Sequence, residues 1–295
     1  MNDSENHMAG DSGGDITGAN AGNRVGGTAS QQAEVFASPS ALRLAIRERR
    51  WTGFTNLVAP DHVQGNLMIV PAAYADAFAA FCAANAQALP LLGRSAPGVP
   101  FIPSLGTDLD LRTDVGGYMV FRDGVLTETP HAITDIWQDD LVAFVLGCSF
   151  SFETVLRSQG VRLRHLEEGN VSAMYVTTLA TEPHGPFGGP LVVSMRALTP
   201  ADAIRATLVS SRHTMFHGAP MHIGLPKLIG IDDLAQSYGG HGLTTLHDDE
   251  LPVFWACGAT AQLAARHAGL PFCITHYKAH MVVTDLRIEE VCASA

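Results

Sequence analysis

The two halves of this chain resemble each other, and this internal similarity restricts the possible folds more than any other feature of the sequence. Three matches illustrate it: Gly116-Gly117 with Gly239-Gly240, Cys148 with Cys257, and Met174 with Met281. The offset between matched residues falls from 123 to 109 and then to 107, as short loop deletions would produce. A repeated unit predicts two similar lobes. We therefore expect an internal duplication, with a first lobe at residues 35–182 and a second at 183–295.

Each half alternates strand-like apolar runs with helix-like runs. The segment GNLMIVPAAYADAFAAFCAAN begins as a buried strand and continues as an alanine-rich helix, and VVSMRALTPADAIRATLVSS repeats this order. The segments LVAFVLGCSFSFETVLRSQG and PVFWACGATAQLAARHAGLP repeat it again. Strands that alternate with helices predict an α/β fold with mixed sheets. Together with the duplication, this pattern predicts two α/β lobes packed about a pseudo-two-fold axis.

The composition restricts the partners and the compartment. The chain has 295 residues and a formal net charge of −11, which is unlike a binder of nucleic acid or of anionic membranes. No apolar run reaches the roughly 20 residues of a membrane span, so we expect no membrane partner. Five scattered cysteines without a CxxC pair favour a reducing, cytoplasmic location. Residues 1–34, rich in Gly, Asn, Asp and Ser, are predicted to form a disordered tail.

Two equivalent strand-to-helix turns, LGCSFSFE and WACGATAQ, occur one in each half. If the halves face each other, both turns border one cleft, where the free N–H groups of helix N-termini favour an anionic ligand. Cys148 and Cys257 are therefore candidate ligand-binding residues. A thiolate nucleophile at Cys148 is one interpretation, and a small buried side chain that fills the turn is the other.

Several long motifs resemble the D-glutamate cyclase family, many of whose bacterial members are named only as hydro-lyases. These motifs are GCSFSFE, NVSAMYVTT, GPLVVSMRAL, HGAPMHIG, PVFWACG and HMVVTDL, and the resemblance covers about residues 40–290. It implies a cofactor-independent carbon–oxygen lyase that acts on a small amino or dicarboxylic acid. In the reaction that gives the family its name, D-glutamate closes onto its side-chain carboxyl and yields 5-oxo-D-proline and water.

This chemistry requires a cationic anchor for a carboxylate, together with a base and an acid. Arg196 and Arg212 are candidate anchors, and each would equally suit a structural ion pair. Glu153 is a candidate catalytic base or acid, although a glutamate in the first turn also stabilises a helix through the helix dipole.

The other predicted site residues have structural alternatives as well. Ser151 is a candidate catalytic residue and Ser149 a candidate carboxylate donor, while helix capping explains both equally well. Asn66 is a candidate substrate ligand, with turn chemistry as its alternative. His280 is the predicted acid–base histidine, because its counterpart in the first half is Ala173.

His217 and His222 lie five residues apart in HGAPMHIG and are candidate substrate ligands. A zinc-dependent hydrolase built on them is an alternative, but the spacing matches no zinc motif, so we expect no metal and no cofactor. Compared with the family pattern, Leu225 and Gly240 replace acidic residues, and Lys278-Ala279 replaces Pro-Gly. These departures leave open a binding protein that has kept the cleft and lost the chemistry. A homodimer is a further expectation for an α/β enzyme of this size.

Overall fold

The computed structural model describes residues 36–293 and shows an α/β protein built on two β-sheets, which confirms the predicted fold class. The predicted N-terminal tail lies outside the described residues. Within them, no helix combines the length and the apolar character needed to cross a membrane.

The strands are β1 (His62–Pro71), β2 (Leu91–Arg94), β3 (Tyr118–Arg122), β4 (Val125–Glu128), β5 (Leu141–Gly147), β6 (Ala173–Ala180), β7 (Pro190–Leu198), β8 (His222–Ile223), β9 (Leu251–Ala256), β10 (Cys273–His276) and β11 (Val282–Arg287). The α-helices are α1 (Pro39–Arg47), α2 (Ala72–Ala84), α3 (Ser149–Ser158), α4 (Arg164–Glu167), α5 (Pro200–Ser210), α6 (Ala259–His267) and α7 (Ile288–Ala293). Short 3-10 turns lie at Thr134–Ile136, Thr214–Phe216 and Pro226–Ile229.

The helices differ in how they begin. Ser38 and Thr199 cap α1 and α5 through their hydroxyl oxygens, and a proline follows each cap, where its missing N–H costs no hydrogen bond. In contrast, α3 begins after Cys148 and α6 after Gly258 without any side-chain cap. The first backbone N–H groups of α3 and α6 are therefore not covered by a capping side chain, as is also the case for α2 and α4.

The larger sheet has the strand order β2-β5-β1-β10-β3-β4, with β11 also paired to β1, and the smaller sheet has the order β6-β7-β9-β8. All pairs between these strands are antiparallel, whereas the strand–helix alternation predicted mixed sheets. Strands joined across a helix pair in parallel when the helix is the whole connection. In this protein each connection contains further strands after the helix. β2 to β4 lie between α2 and β5, and β8 lies between α5 and β9, so the pairing strand runs in the opposite direction.

Strands are exchanged between the two halves of the chain, because β10 and β11 pair in the larger sheet and β6 pairs with β7 in the smaller one. The registers correspond: Gly65 lies opposite Gly147 and Val282, and Val193 lies opposite Ala256 and Tyr175. The partners Gly147 and Ala256 are 109 residues apart in the chain, and Tyr175 and Val282 are 107 apart, which are the offsets between matched residues in the sequence. The correspondence supports the duplication, which stays a proposal. Both sheets contain strands of both halves. A division of the chain between residues 182 and 183 therefore does not separate one sheet from the other.

The largest hydrophobic cluster joins the sheets. It contains Met68 and Phe144 from the larger sheet and Tyr175, Val193 and Phe254 from the smaller one. Burying side chains of this size stabilises the fold by about 1.5–3 kcal/mol each. The two sheets therefore share one core, and the positions next to it on β1 and β7 are rigidly placed.

Candidate functional site

A cavity of about 350 Å³ lies between the sheets, where α3 and α6 begin. Both equivalent turns line it, through residues 148–150 and 257–259. The other polar residues of its lining are Asn66, Asn170, Ser172, Ser194, His241, Gln262, Thr275, His276, Tyr277 and Lys278. No Asp or Glu of the described residues is in the lining, so its only full charge is the cation of Lys278. Such a cavity suits an anionic ligand.

Asn66 connects the two turns. Its Nδ2 donates to the carbonyl oxygen of Gly147, 2.8 Å away, immediately before Cys148. The same side chain covers Gly258, where an added Cβ would lie 2.8 Å from Asn66 Oδ1. Only glycine fits at this point of the second turn without displacing Asn66. The predicted meeting of the two turns at one cavity is therefore observed, with one amide between them.

Cys148 and Cys257 are free thiols that line this cavity. The backbone of Phe150 hydrogen-bonds the first sulfur and that of Ala259 the second, which favours the thiolate. Burial has the larger effect: it raises the pKa of Cys148 to about 12 and also raises the pKa of Cys257. A protonated thiol is a poor nucleophile, so this geometry favours the interpretation of Cys148 as a side chain that fills the turn.

Arg196 and Glu153 form a buried ion pair behind the cavity. Arg196 Nη2 and Nε lie 2.5 Å and 3.1 Å from Glu153 Oε1, and His165 Nε2 lies 3.1 Å from the same oxygen. Burial alone would raise the pKa of the Glu153 carboxyl, but the charges of Arg196 and His165 outweigh it and lower the pKa to about 2. Glu153 is therefore an ionised partner of Arg196, and neither side chain lines the cavity.

Arg196 reaches the cavity through two hydroxyls. Its Nη2 donates to Ser149 Oγ at 2.9 Å, and its Nη1 donates to Ser194 Oγ at 2.6 Å. Ser194 and Arg196 lie two residues apart on β7, so both point to the same face of the sheet. The guanidinium thus acts on a ligand only through Ser149 and Ser194.

His276 and Lys278 line the cavity at the end of β10. His276 Nδ1 lies 3.1 Å from the backbone nitrogen of Leu67 and 3.4 Å from its carbonyl oxygen, so the backbone of β1 holds the ring in place. Burial lowers the pKa of His276 to about 4, so the ring is neutral near pH 7. Lys278 Nζ donates to the carbonyl oxygen of Gly239 at 2.9 Å, and burial lowers its pKa. At this end of β10 the cavity is therefore lined by a neutral imidazole and an amine.

The other two predicted catalytic residues, Ser151 and His280, also lie outside this cavity. Ser151 Oγ accepts the N–H of Gln64 at 2.9 Å and so connects α3 to β1. The ring nitrogens of His280 face the carbonyl oxygens of Lys278 and Thr52 at 2.7 Å and 3.3 Å. These contacts hold the chain around Lys278 and Ala279, a cavity-lining pair whose second member has a φ of 60°. His280 therefore acts on the cavity through the backbone.

Arg212, His217 and His222 also lie away from the cavity lining. Arg212 is exposed at the end of α5. His217 is buried, with Nδ1 3.0 Å from the carbonyl oxygen of Gln87, and burial lowers its pKa to about 4. His222 lies on the edge strand β8, with Nε2 3.0 Å from the carbonyl oxygen of Leu225. Among residues 36–293 no group of three His, Cys, Asp or Glu side chains is arranged to hold a metal.

Ser194 was not predicted from the sequence, and neither His276 nor Lys278 was assigned to the site. The signal for Ser194 is its spacing, because it precedes Arg196 by two residues on a strand that is otherwise apolar. Of the departures from the family pattern, Lys278 lies in the cavity. Leu225 is 70% exposed, and Gly240 has a φ of 67°, a left-handed conformation that favours glycine.

The fold and the cavity define a class: an α/β protein with a cation-bearing cavity between two sheets. Comparison with known proteins gives the family. The model of the D-glutamate cyclase family matches residues 142–285, a segment that contains both cavity turns. With the relatives described next, this match shows that the chain belongs to the D-glutamate cyclase family.

Close relatives are bacterial proteins with the provisional name hydro-lyase. One from Methylobacterium radiotolerans is 52% identical over 254 residues, which cover 86% of this chain and 93% of the relative. One from Rhizobium johnstonii is 52% identical, with coverage of 86% and 94%. One from Bordetella pertussis is 51% identical, with coverage of 83% and 88%. A nitrogen repressor-like protein of Methanococcus jannaschii matches structurally, with a TM-score of 0.39 and 11% identity over 86% of this chain and 96% of that one.

Proposed function

We propose that this protein is a cofactor-independent carbon–oxygen lyase that converts D-glutamate, or a similar small amino dicarboxylic acid, to a cyclic product and water. The observation that carries the proposal is the electrostatic character of the cavity. Its lining has a lysine, two uncapped helix N-termini and no carboxylate among the described residues. This field attracts a small anion, and a dicarboxylate belongs to that class of ligand. Free buried thiols suit a reducing cytoplasm.

In the proposed reaction the substrate's amino nitrogen attacks its own side-chain carboxyl carbon. The nitrogen–carbon bond forms while one carbon–oxygen bond breaks, and the two protons that leave nitrogen end on the departing oxygen as water. His241 lies in the lining, and burial together with Lys278 lowers its pKa, so a neutral ring is present to accept the first proton. Lys278 neutralises the reacting carboxylate, and the neutral imidazole of His276 donates a hydrogen bond to the departing oxygen.

Incubation of the purified protein with D-glutamate, followed by proton NMR, tests this proposal. We expect the α-proton signal of D-glutamate to decay while that of 5-oxoproline grows. L-Glutamate and D-aspartate serve as parallel substrates that define the preference. If none of the three amino acids is consumed, the proposed activity is wrong.

The chain offers a matched pair of lysine variants, because Lys227 and Lys278 are its only lysines. Lys227 is exposed on a 3-10 turn, whereas Lys278 lines the cavity. We expect Lys278→Met to lower kcat/KM by about 10- to 100-fold, because a hydrogen bond to a charged group contributes about 1.5–3 kcal/mol. Lys227→Met should leave kcat/KM unchanged. Equal effects of the two substitutions would contradict a role for Lys278 in the site.

A second candidate is a non-catalytic protein that binds a small anion. The neutral state of both cysteines favours it, as does the engagement of Glu153 with Arg196, since neither supplies an acid or a base to the cavity. This candidate predicts that D-glutamate raises the Tm and is recovered unchanged. Turnover in the NMR experiment excludes it.

A further inference from the structure

We propose that Ser149 and Ser194 form the subsite for the substrate's α-carboxylate and that Arg196 is the positioning residue that orients their hydroxyls. This inference rests on the proposed function, because it assigns one of the two carboxylates of that substrate. Both serines line the cavity, although only 6% and 1% of their surfaces are exposed. They are therefore held in place by the surrounding structure before any ligand arrives.

The hydrogen bonds with Arg196 fix the direction of both hydroxyl protons. A guanidinium has only donors, so Ser149 Oγ and Ser194 Oγ accept from it at 2.9 Å and 2.6 Å. Each hydroxyl then has its own O–H left to donate. Among the described residues the hydrogen bonds of these two oxygens are the ones that they accept from Arg196, so each O–H is available to a ligand in the cavity. A carboxylate in the cavity provides two acceptor oxygens, one for each hydroxyl.

The electrostatic field at this position also favours an anion. The side chain of Arg196 is fully buried and its charge is balanced by Glu153, which bonds the same Nη2 that holds Ser149 Oγ, so this field comes from the two hydroxyl dipoles and from a helix end rather than from a free cation. Ser149 is in addition the first residue of α3, a ten-residue helix without a side-chain cap. The ligand would thus face two polarised O–H groups and the positive end of a helix.

The corresponding position in the other half lacks this arrangement. In the matched strand registers Ser194 corresponds to Asn66 and Arg196 to Met68, and Ser149 corresponds to Gly258 in the second turn. The cavity therefore has one rigid anchor of this kind. An anchor should hold the carboxylate that undergoes no bond change, which is the α-carboxylate. Lys278 and His276 are then left for the reacting side-chain carboxylate.

Calorimetric titration with two probes tests the subsite: D-glutamate, and 4-aminobutanoate, which lacks the α-carboxylate. We expect Ser149→Ala and Ser194→Ala each to weaken D-glutamate binding by about tenfold and to leave 4-aminobutanoate binding unchanged. Ser210→Ala is the matched control, since Ser210 is also fully buried but bonds to Trp255 outside the cavity. Serine variants that weaken both probes equally, or neither, would overturn the subsite.

The same titration separates the subsite from the proposed activity. Wild-type protein that prefers D-glutamate to 4-aminobutanoate without producing 5-oxoproline would overturn the activity and support the subsite. Wild-type protein that has no such preference would overturn the subsite, whatever the turnover.

A test of the positioning role of Arg196 requires a variant that leaves no buried charge without a partner. Arg196→Met combined with Glu153→Gln removes both members of the ion pair. We expect this double variant to lose the preference for D-glutamate over 4-aminobutanoate, as the serine variants do. Arg196→Lys keeps the positive charge but loses the planar set of N–H donors, so this variant should retain part of the preference for D-glutamate. A purely structural role would lower the Tm and leave the preference intact.

Discussion

Glu153 is a buried carboxylate that is stabilised by its partners Arg196 and His165. Its carboxylate is 1% exposed and balances the guanidinium of Arg196. We expect Glu153→Gln to lower the free energy of unfolding by about 3–5 kcal/mol, because it leaves a buried cation without its counter-ion. Urea unfolding followed by circular dichroism measures this loss. Glu289→Gln, at a pair where that glutamate is 75% exposed, should change the free energy by less than about 1 kcal/mol. A loss no larger than that of the control would contradict the importance of the buried pair.

The buried histidines should make the stability depend on pH. Burial lowers the pKa of His217 and of His276 to about 4, so the unfolded chain binds more protons than the folded protein between pH 6.5 and 4. Their contribution is complete above pH 6.5 and is lost as the pH falls towards 4, by about 1.4 kcal/mol per pH unit for each histidine. Glu153, with its pKa near 2, extends the loss from about pH 4.5 downwards.

The variant His217→Asn tests this dependence through urea midpoints at pH 7, 6 and 5. We expect a shallower decline than in the wild-type protein, because one of the two histidines whose pKa lies near 4 is gone. His184→Asn, at an exposed position, should keep the wild-type slope. Parallel pH profiles for all three proteins would show that His217 is not the group that titrates.

At the scale of secondary-structure elements, the start of α6 depends on close contact with β1. A Cβ at residue 258 would overlap the amide of Asn66, so Gly258→Ala should displace Asn66 or the turn and cost about 1–3 kcal/mol. In the other half, Ser149 takes the turn position of Gly258 and Ser194 takes the strand position of Asn66. A turn residue with a Cβ is therefore accommodated when the strand residue is serine. We therefore expect Asn66→Ser combined with Gly258→Ala to recover most of the loss. Chemical denaturation of both single variants and the double variant measures the coupling, and additive effects would contradict this contact.

At the scale of the whole molecule, the exchanged strands should make the halves depend on each other. β11 completes the larger sheet beside β1, and β6 is the edge partner of β7 in the smaller one. We expect the fragments 35–182 and 183–295 each to lack a cooperative unfolding transition, and their mixture to recover one. Circular dichroism during thermal unfolding tests this, with the intact chain as the reference. A cooperative transition in either isolated fragment would show that the half folds as an independent lobe.

The alternation of apolar and helical segments predicted the α/β class, and small residues after a strand predicted both cavity turns. These are local properties, because a strand, a helix and a glycine-containing turn are encoded within about twenty residues. The antiparallel pairing was not predictable in this way. It depends on how many times the chain reverses between β1 and β5, and between β7 and β9, which the periodicity of a segment does not record.

The sequence by itself determined the repeated strand–helix units and the residues of the two turns, because offsets and periodicity are visible in one dimension. Only the tertiary structure decided which side chains face the ligand and which support it. The sequence predicted Arg196 as a substrate anchor and Glu153 as a catalytic group. In the fold the two side chains form an ion pair, and neither of them lines the cavity. Ser194 and His276 reach the cavity because strands from both halves meet there. The physical reason is that a charge requires a partner or solvent, and that choice is made in three dimensions by residues distant in the chain.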